Sequence, residues 1–157
     1  MLKRIATASI VLTFVVSGAA FAATLSTGTK VTLHSTSHGK VLATSKGRTL
    51  YLYTSDSKNH SNCTGSCASV WPPLMTKGKP VAGTGVSQAK LGTIKRPDHG
   101  VQVTYNGNAL YLFASDSKPG VASGQNVAHF HVVVVKANAA TTAPVAATTT
   151  TASGGYG

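Results

Sequence analysis

A phrase of ten residues occurs twice in this chain. "TLYLYTSDSK" ends at Lys58 and "ALYLFASDSK" at Lys118, an offset of 60. The likeness extends backwards without a gap, so that "VLATSKGRTLYLYTSDSK" from Val41 aligns with "VQVTYNGNALYLFASDSK" from Val101. Internal self-similarity fixes an architecture of related units before any single motif is weighed.

Each copy reads as a β-hairpin. Asn106-Gly107 is a strong two-residue turn signal, because both turn positions need positive φ, and Lys46-Gly47 takes its place in the first copy. With those turns, Tyr105 faces Asn108, Val103 faces Leu110 and Val101 faces Leu112, while Ala43 faces Leu50 and Val41 faces Leu52. Side chains alternate along a strand, so both copies present an aliphatic face. Tyr51, Tyr53, Tyr111 and Phe113 then point to the opposite face. "TKVTLH", "GTIKR" and the β-branched run "FHVVVVK" supply further strands, and amphipathic helix signals are missing. The expectation is an all-β, compact small domain of two related hairpin-containing repeats, arranged as a twisted sheet, a sandwich or a barrel.

The ends bound that domain. Lys3 and Arg4, the apolar stretch Ile10 to Val16 and Ala20-Phe21-Ala22 read as an export signal over 1–22, with a mature start at Ala23. No Cys follows as a lipid acceptor, and no later stretch reaches the roughly 20 apolar residues that span a bilayer. Residues 138–157 are nearly all Ala, Thr and Gly and read as a disordered tail. The β domain is expected over 29–137, with repeat one at about 40–75 and repeat two at about 100–136.

Lys and Arg number 14 against 3 acids, and losing Lys3 and Arg4 with the signal takes the net charge from +11 to +9. Such a surface favours anionic cell-wall or surface polymers as partners. The lysines are scattered singly and lack the basic run with interleaved aromatics of a nucleic-acid surface, so specific nucleic-acid binding is not expected.

Four groups of residues bear on chemistry. Asp56 and Asp116 stand at matched places after the aromatic strands, where Asp readily accepts backbone N–H bonds in a turn; the alternative is an acid/base pair or cation site. Cys63 and Cys67 are the only cysteines, and in an exported chain they read as a disulfide pinning a loop. The rival is a copper or zinc centre, or a redox site, using His60 and those thiols with His129 and His131, which one strand would place on a shared face. Trp71, before Pro72-Pro73, reads as a packed anchor, with ligand recognition by an exposed Trp as its alternative. Neither a GxSxG elbow nor an HExxH helix is present, and catalysis is not expected.

"Tyr51-Leu52-Tyr53-Thr54-Ser55-Asp56" and "Tyr111-Leu112-Phe113-Ala114-Ser115-Asp116" resemble the doubled Tyr-x-(Phe/Trp/Tyr)-x-x-Asp motif of a family of secreted bacterial repeats and predicted lipoproteins. "Cys63-Thr64-Gly65-Ser66-Cys67-Ala68" with "Trp71-Pro72-Pro73-Leu74", and "Gln102-Val103-Thr104-Tyr105-Asn106-Gly107", are similar to it as well. The family's role is unknown, so the resemblance implies export and pairing of the halves. Two departures stand out: the lipid-attachment Cys is missing, and Phe130, between two His, occupies the place where relatives carry a Trp. The chain is therefore expected to be a secreted or cell-envelope protein without a lipid anchor, a non-enzymatic structural or interaction module, with an exported metal or redox accessory role as the alternative.

Overall fold

A computed structural model describes residues 28–98 and 100–136. The expected export signal and the expected tail lie outside the described residues. Eight short strands carry the architecture: β1 (Lys30–Thr36), β2 (Gly39–Thr44), β3 (Tyr51–Tyr53), β4 (Val81–Ala82), β5 (Leu91–Lys95), β6 (Val101–Tyr105), β7 (Asn108–Ala109) and β8 (Phe130–Val132). A five-residue helix α1 (Ser66–Val70) and a 3-10 turn (Gln88–Lys90) complete them. The strands form small sheets ordered β2-β1-β4, β3-β8 and β5-β6-β7, stitched together by isolated bridges. The fold class is all-β, as the alternating pattern predicts.

The two hairpins splay apart, and each admits the closing segment of the other repeat. In the second hairpin, the Val103 N–H donates to Leu74, the Leu74 N–H to Leu110, and the Leu110 N–H to Val103. In the first, the Leu42 N–H donates to Val133, the Val133 N–H to Leu50, and the Leu50 N–H to Leu42. The same three-bond ring is thus built twice, once with residue 74 from repeat one and once with residue 133 from repeat two. A two-stranded hairpin is marginal by itself; here each gains its missing strand from the other half.

This exchange corrects part of the expected register. In the second hairpin Tyr105 pairs with Asn108 and Thr104 with Ala109, and Leu110 bonds Val103. Val101 does not face Leu112: residues 72–75 intervene, with Leu112 donating to Pro72 and Met75 bridged to Gln102. In the first hairpin Ala43 faces Thr49 rather than Leu50, and Val41 is bridged to Val134 rather than to Leu52.

The reason lies in the turns. Asn106 (φ 51) and Gly107 (φ 77) make a two-residue turn with both positions left-handed, which Asn and Gly tolerate. Lys46 resists positive φ, so the first turn takes three residues between Thr44 and Arg48, of which only Gly47 (φ 77) is left-handed. The extra residue slips the strand by one. Leu42, rather than Ala43, therefore occupies the place of Val103.

Two cores result. The aliphatic one gathers Val31, Leu42, Leu50, Leu74, Val103 and Leu110, with Leu33 and Leu52 at its edge. The aromatic one gathers Tyr51, Trp71, Tyr111 and Phe130 with Ile94, Ala109 and Cys63. Leu50 and Leu110 face the first while Tyr51 and Tyr111 face the second, as strand alternation requires.

Candidate functional site

The repeated motif meets itself at the centre of the molecule. Tyr51 and Tyr111 exchange backbone hydrogen bonds, each N–H donating to the other's carbonyl at 2.9 Å. Their phenols then reach across to the opposite repeat. The Tyr51 hydroxyl donates to Asp116 Oδ2 at 2.6 Å, and the Tyr111 hydroxyl donates to Asp56 Oδ2 at 2.7 Å. The second oxygen of each carboxylate ties down its own loop: Asp56 Oδ1 accepts from the Asn62 N–H, and Asp116 Oδ1 accepts from the N–H and hydroxyl of Ser123. Each carboxylate is thus held in a latch of its own, by a phenol of the opposite repeat and by its own following loop.

Burial governs the protonation of these groups. It pushes the Tyr51 and Tyr111 phenols far above their ordinary value, and the bond each makes to a carboxylate adds to the shift. Burial also raises the Asp56 carboxyl, against the opposing bonds from Tyr111 and Asn62.

The remaining aromatics interleave by repeat. Tyr53 stacks on Phe130 with centroids 4.4 Å apart, Phe130 on Trp71 at 3.8 Å, and Trp71 on Phe113 at 4.3 Å. The order alternates between the halves. Trp71 is only 2% exposed, so it packs rather than offering an exposed face to a ligand. Phe130 packs face to face against it, with the two ring planes 4° apart.

A buried arginine extends the network. The Arg96 guanidinium donates to Asp98, to Ser61 Oγ (2.8 Å), to Gln102 Oε1 (2.7 Å) and to the Cys63 carbonyl (2.9 Å). Ser61 in turn shares a 2.7 Å hydrogen bond with the Tyr111 hydroxyl. The Arg96 bond holds the Asp98 carboxyl below its usual range. Sequence reasoning missed Arg96, Ser61 and Gln102. The available signal was residue choice: the described residues hold ten lysines, all exposed, and two arginines, both at least half-buried. Arg48, the other one, donates to the Phe113 carbonyl across the repeats at 2.8 Å. The guanidinium fork suits such multiple anchoring where an ammonium does not.

Cys63 and Cys67 are joined as a disulfide with Cα atoms 5.2 Å apart, spanning the loop into α1. Both sulfurs are thereby withdrawn from any metal set. His60 is exposed in its turn, and His131 lies in β8 opposite Leu52. His129 precedes β8 with φ 67, so it does not share a strand face with His131 as expected. Among the described residues no group of three or more His, Cys, Asp or Glu stands close enough to hold a metal.

Comparison with known proteins is consistent with this two-part construction. No curated protein and no solved structure matches the chain. A family described as a secreted repeat of unknown function matches at residues 32–75 and again at 92–133, together more than half of the chain. The two matched segments are the halves that exchange strands. On that footing the chain belongs to this family of secreted repeats.

Proposed function

We propose that the protein is an exported, non-enzymatic interaction module of the cell envelope or extracellular space that adheres to anionic polymers. One observation carries this reading: the charges are sorted by sign. All three carboxylates are engaged by the chain itself, Asp56 and Asp116 in the tyrosine latches and Asp98 on Arg96. All ten lysines of the described residues are exposed. They project from β1, β2, β5 and the intervening loops, which gives a cationic field over much of the surface rather than one basic cleft. The Tyr51 and Tyr111 phenols and the Asp116 and Asp56 carboxylates hydrogen-bond one another across the repeats, an arrangement that serves cohesion.

The test is titration of the mature protein with a soluble poly(glycerol phosphate) wall polymer and with neutral dextran, at several salt concentrations. Binding to the phosphate polymer should weaken steeply as salt shortens the screening length from about 30 Å at 0.01 M to about 8 Å at 0.15 M. Replacing Lys77, Lys79, Lys95 and Lys118 by Gln should weaken it further with the melting temperature unchanged. Equal binding to dextran, or indifference to salt, would overturn the reading.

A further inference from the structure

The outer strands of the two repeats are twins, and only one of them is covered. The family matches begin at residues 32 and 92, the same offset of 60 that separates the repeated phrases. That offset sets Lys30-Val31-Thr32 of β1 beside Lys90-Leu91-Gly92, where β5 starts, and Val31 and Leu91 both sink into the aliphatic core. On its outer edge β1 takes up β4 in parallel, Lys30 beside Val81 and Val31 beside Ala82. The Val81 N–H donates to the Thr29 carbonyl and the Gly83 N–H to that of Val31. β5 pairs on its inner edge with β6. The Asn106 N–H donates to Lys90 and the Arg96 N–H to Gly100, so the even-numbered residues of β5 bond β6. By the alternation of an antiparallel ladder, the Leu91 carbonyl and the Thr93 N–H and carbonyl point outward. Among the described residues no strand pairs with that edge. A trough of about 370 Å³ bordered by Pro80, Leu91, Gly92, Thr93 and Val101 runs beside it. An uncovered edge is a template for unwanted strand pairing, which proteins avoid by covering it.

The sequence that covers β1 occurs once more in the chain. Pro80-Val81-Ala82-Gly83-Thr84 contains β4, and Pro144-Val145-Ala146-Ala147-Thr148 repeats it with one change, Ala147 for Gly83. That change is matched on the strand that would receive it. A Cβ on Gly83 would meet Thr32 Cγ2 at 2.9 Å, whereas the twin of Thr32 is Gly92, which has no side chain to meet the Ala147 methyl. Connectivity agrees as well. Residues 77–79 lead to Pro80 from Thr76, whose N–H donates to Val101 in the second hairpin. Residues 136–143 lead to Pro144 from Val135, whose N–H donates to Lys40 in the first. The second linker is the longer of the two, so its reach is at least as great. We propose that the outer edge of β5 is the docking site of residues 144–147 of the same chain, which add to it in parallel as β4 adds to β1. The Val145 N–H then donates to the Ala89 carbonyl and the Ala147 N–H to that of Leu91. Strand addition of this kind draws its affinity from main-chain hydrogen bonds. Polymer adhesion reads the whole surface field and neither requires nor excludes this docking.

The experiment is NMR of the full mature protein, reading amide hydrogen exchange and through-space contacts. The Ala147 methyl should show cross-peaks to the Gly92 α-protons. The Ala147 amide should exchange at least about tenfold more slowly than in the variant Val145→Pro, because a paired amide exchanges only when the pairing opens. Val145→Pro removes the donor to Ala89 and lies outside both cores, so it should erase the cross-peaks while the Val103 and Leu110 amide resonances stay in place. Val145→Thr keeps the donor and a β-branched side chain, and should retain both signals. Equal Ala147 exchange in the wild-type protein and Val145→Pro, or no contact between Ala147 and Gly92, would overturn the proposal. Contacts found only between differently labelled copies in a mixed sample would overturn it too, since they would give the edge to a second molecule.

Discussion

At the residue scale, the Tyr and Asp of the motif act as a latch between repeats rather than as separate groups. Removing the Tyr51 hydroxyl leaves Asp116 buried and short of one donor, so Tyr51→Phe should lose about 1.5–3 kcal/mol, the range for a hydrogen bond to a charged group. In a double-mutant cycle with Asp116→Asn, read by denaturant unfolding, the pair should show a coupling of about 0.5–3 kcal/mol; additive losses would mean the two groups act separately. The protonation shifts make a second prediction. Because burial raises the folded-state Asp56 carboxyl above its unfolded value, the folded state binds a proton more readily there. The stability that Asp56 contributes is therefore fully present below the unfolded value and is lost as pH rises through the folded one. Measured against Asp56→Asn, the wild-type protein should gain relative stability as pH falls from 7 towards 3. A relative loss would mean that the Tyr111 and Asn62 bonds outweigh burial. The motif spacing made the place of these carboxylates legible, including a bond back to the following loop. Which hydroxyl each one meets was not legible, because that partner lies more than 50 residues away in the other repeat.

At the scale of elements, the hairpins show how far a local pattern reaches. Alternation correctly assigned Leu50 and Leu110 to one face and Tyr51 and Tyr111 to the other, because a strand allows only two directions. It failed at Ala43, where a turn residue unable to hold positive φ added one position. It also failed at Val41 and Val101, where a segment of the other repeat occupies the expected partner's place. Strand exchange leaves no local trace in the hairpin sequence, since the inserted segment is read with its own repeat. The first turn can be tested directly. A Cβ on Gly47 would meet Pro119 Cβ at 2.9 Å as well as forcing a side chain into positive φ, whereas Gly39, also at positive φ, faces open space. Gly47→Ala should thus destabilise by more than the ~1 kcal/mol expected of Gly39→Ala, as read from paired thermal melts. The disulfide closes only a short loop, so its reduction should cost about 2 kcal/mol by chain entropy and leave the domain folded; near-ultraviolet circular dichroism after reduction checks this.

For the whole molecule, every central feature alternates between the halves: the Tyr51–Asp116 and Tyr111–Asp56 latches, the four-ring stack and the inserted strands. The phrase is written twice because neither copy closes its own hairpin or satisfies its own carboxylate. A molecule so interleaved has no internal boundary at which one half can come free, and its exposed lysines are displayed on a single cooperative body. The most direct measurement is to produce residues 28–84 and 85–136 as separate fragments and follow each, and their equimolar mixture, by amide dispersion in two-dimensional NMR. Each fragment alone should be unfolded, and the mixture should give the dispersed spectrum of the intact domain. A fragment that folds by itself would contradict reciprocal completion.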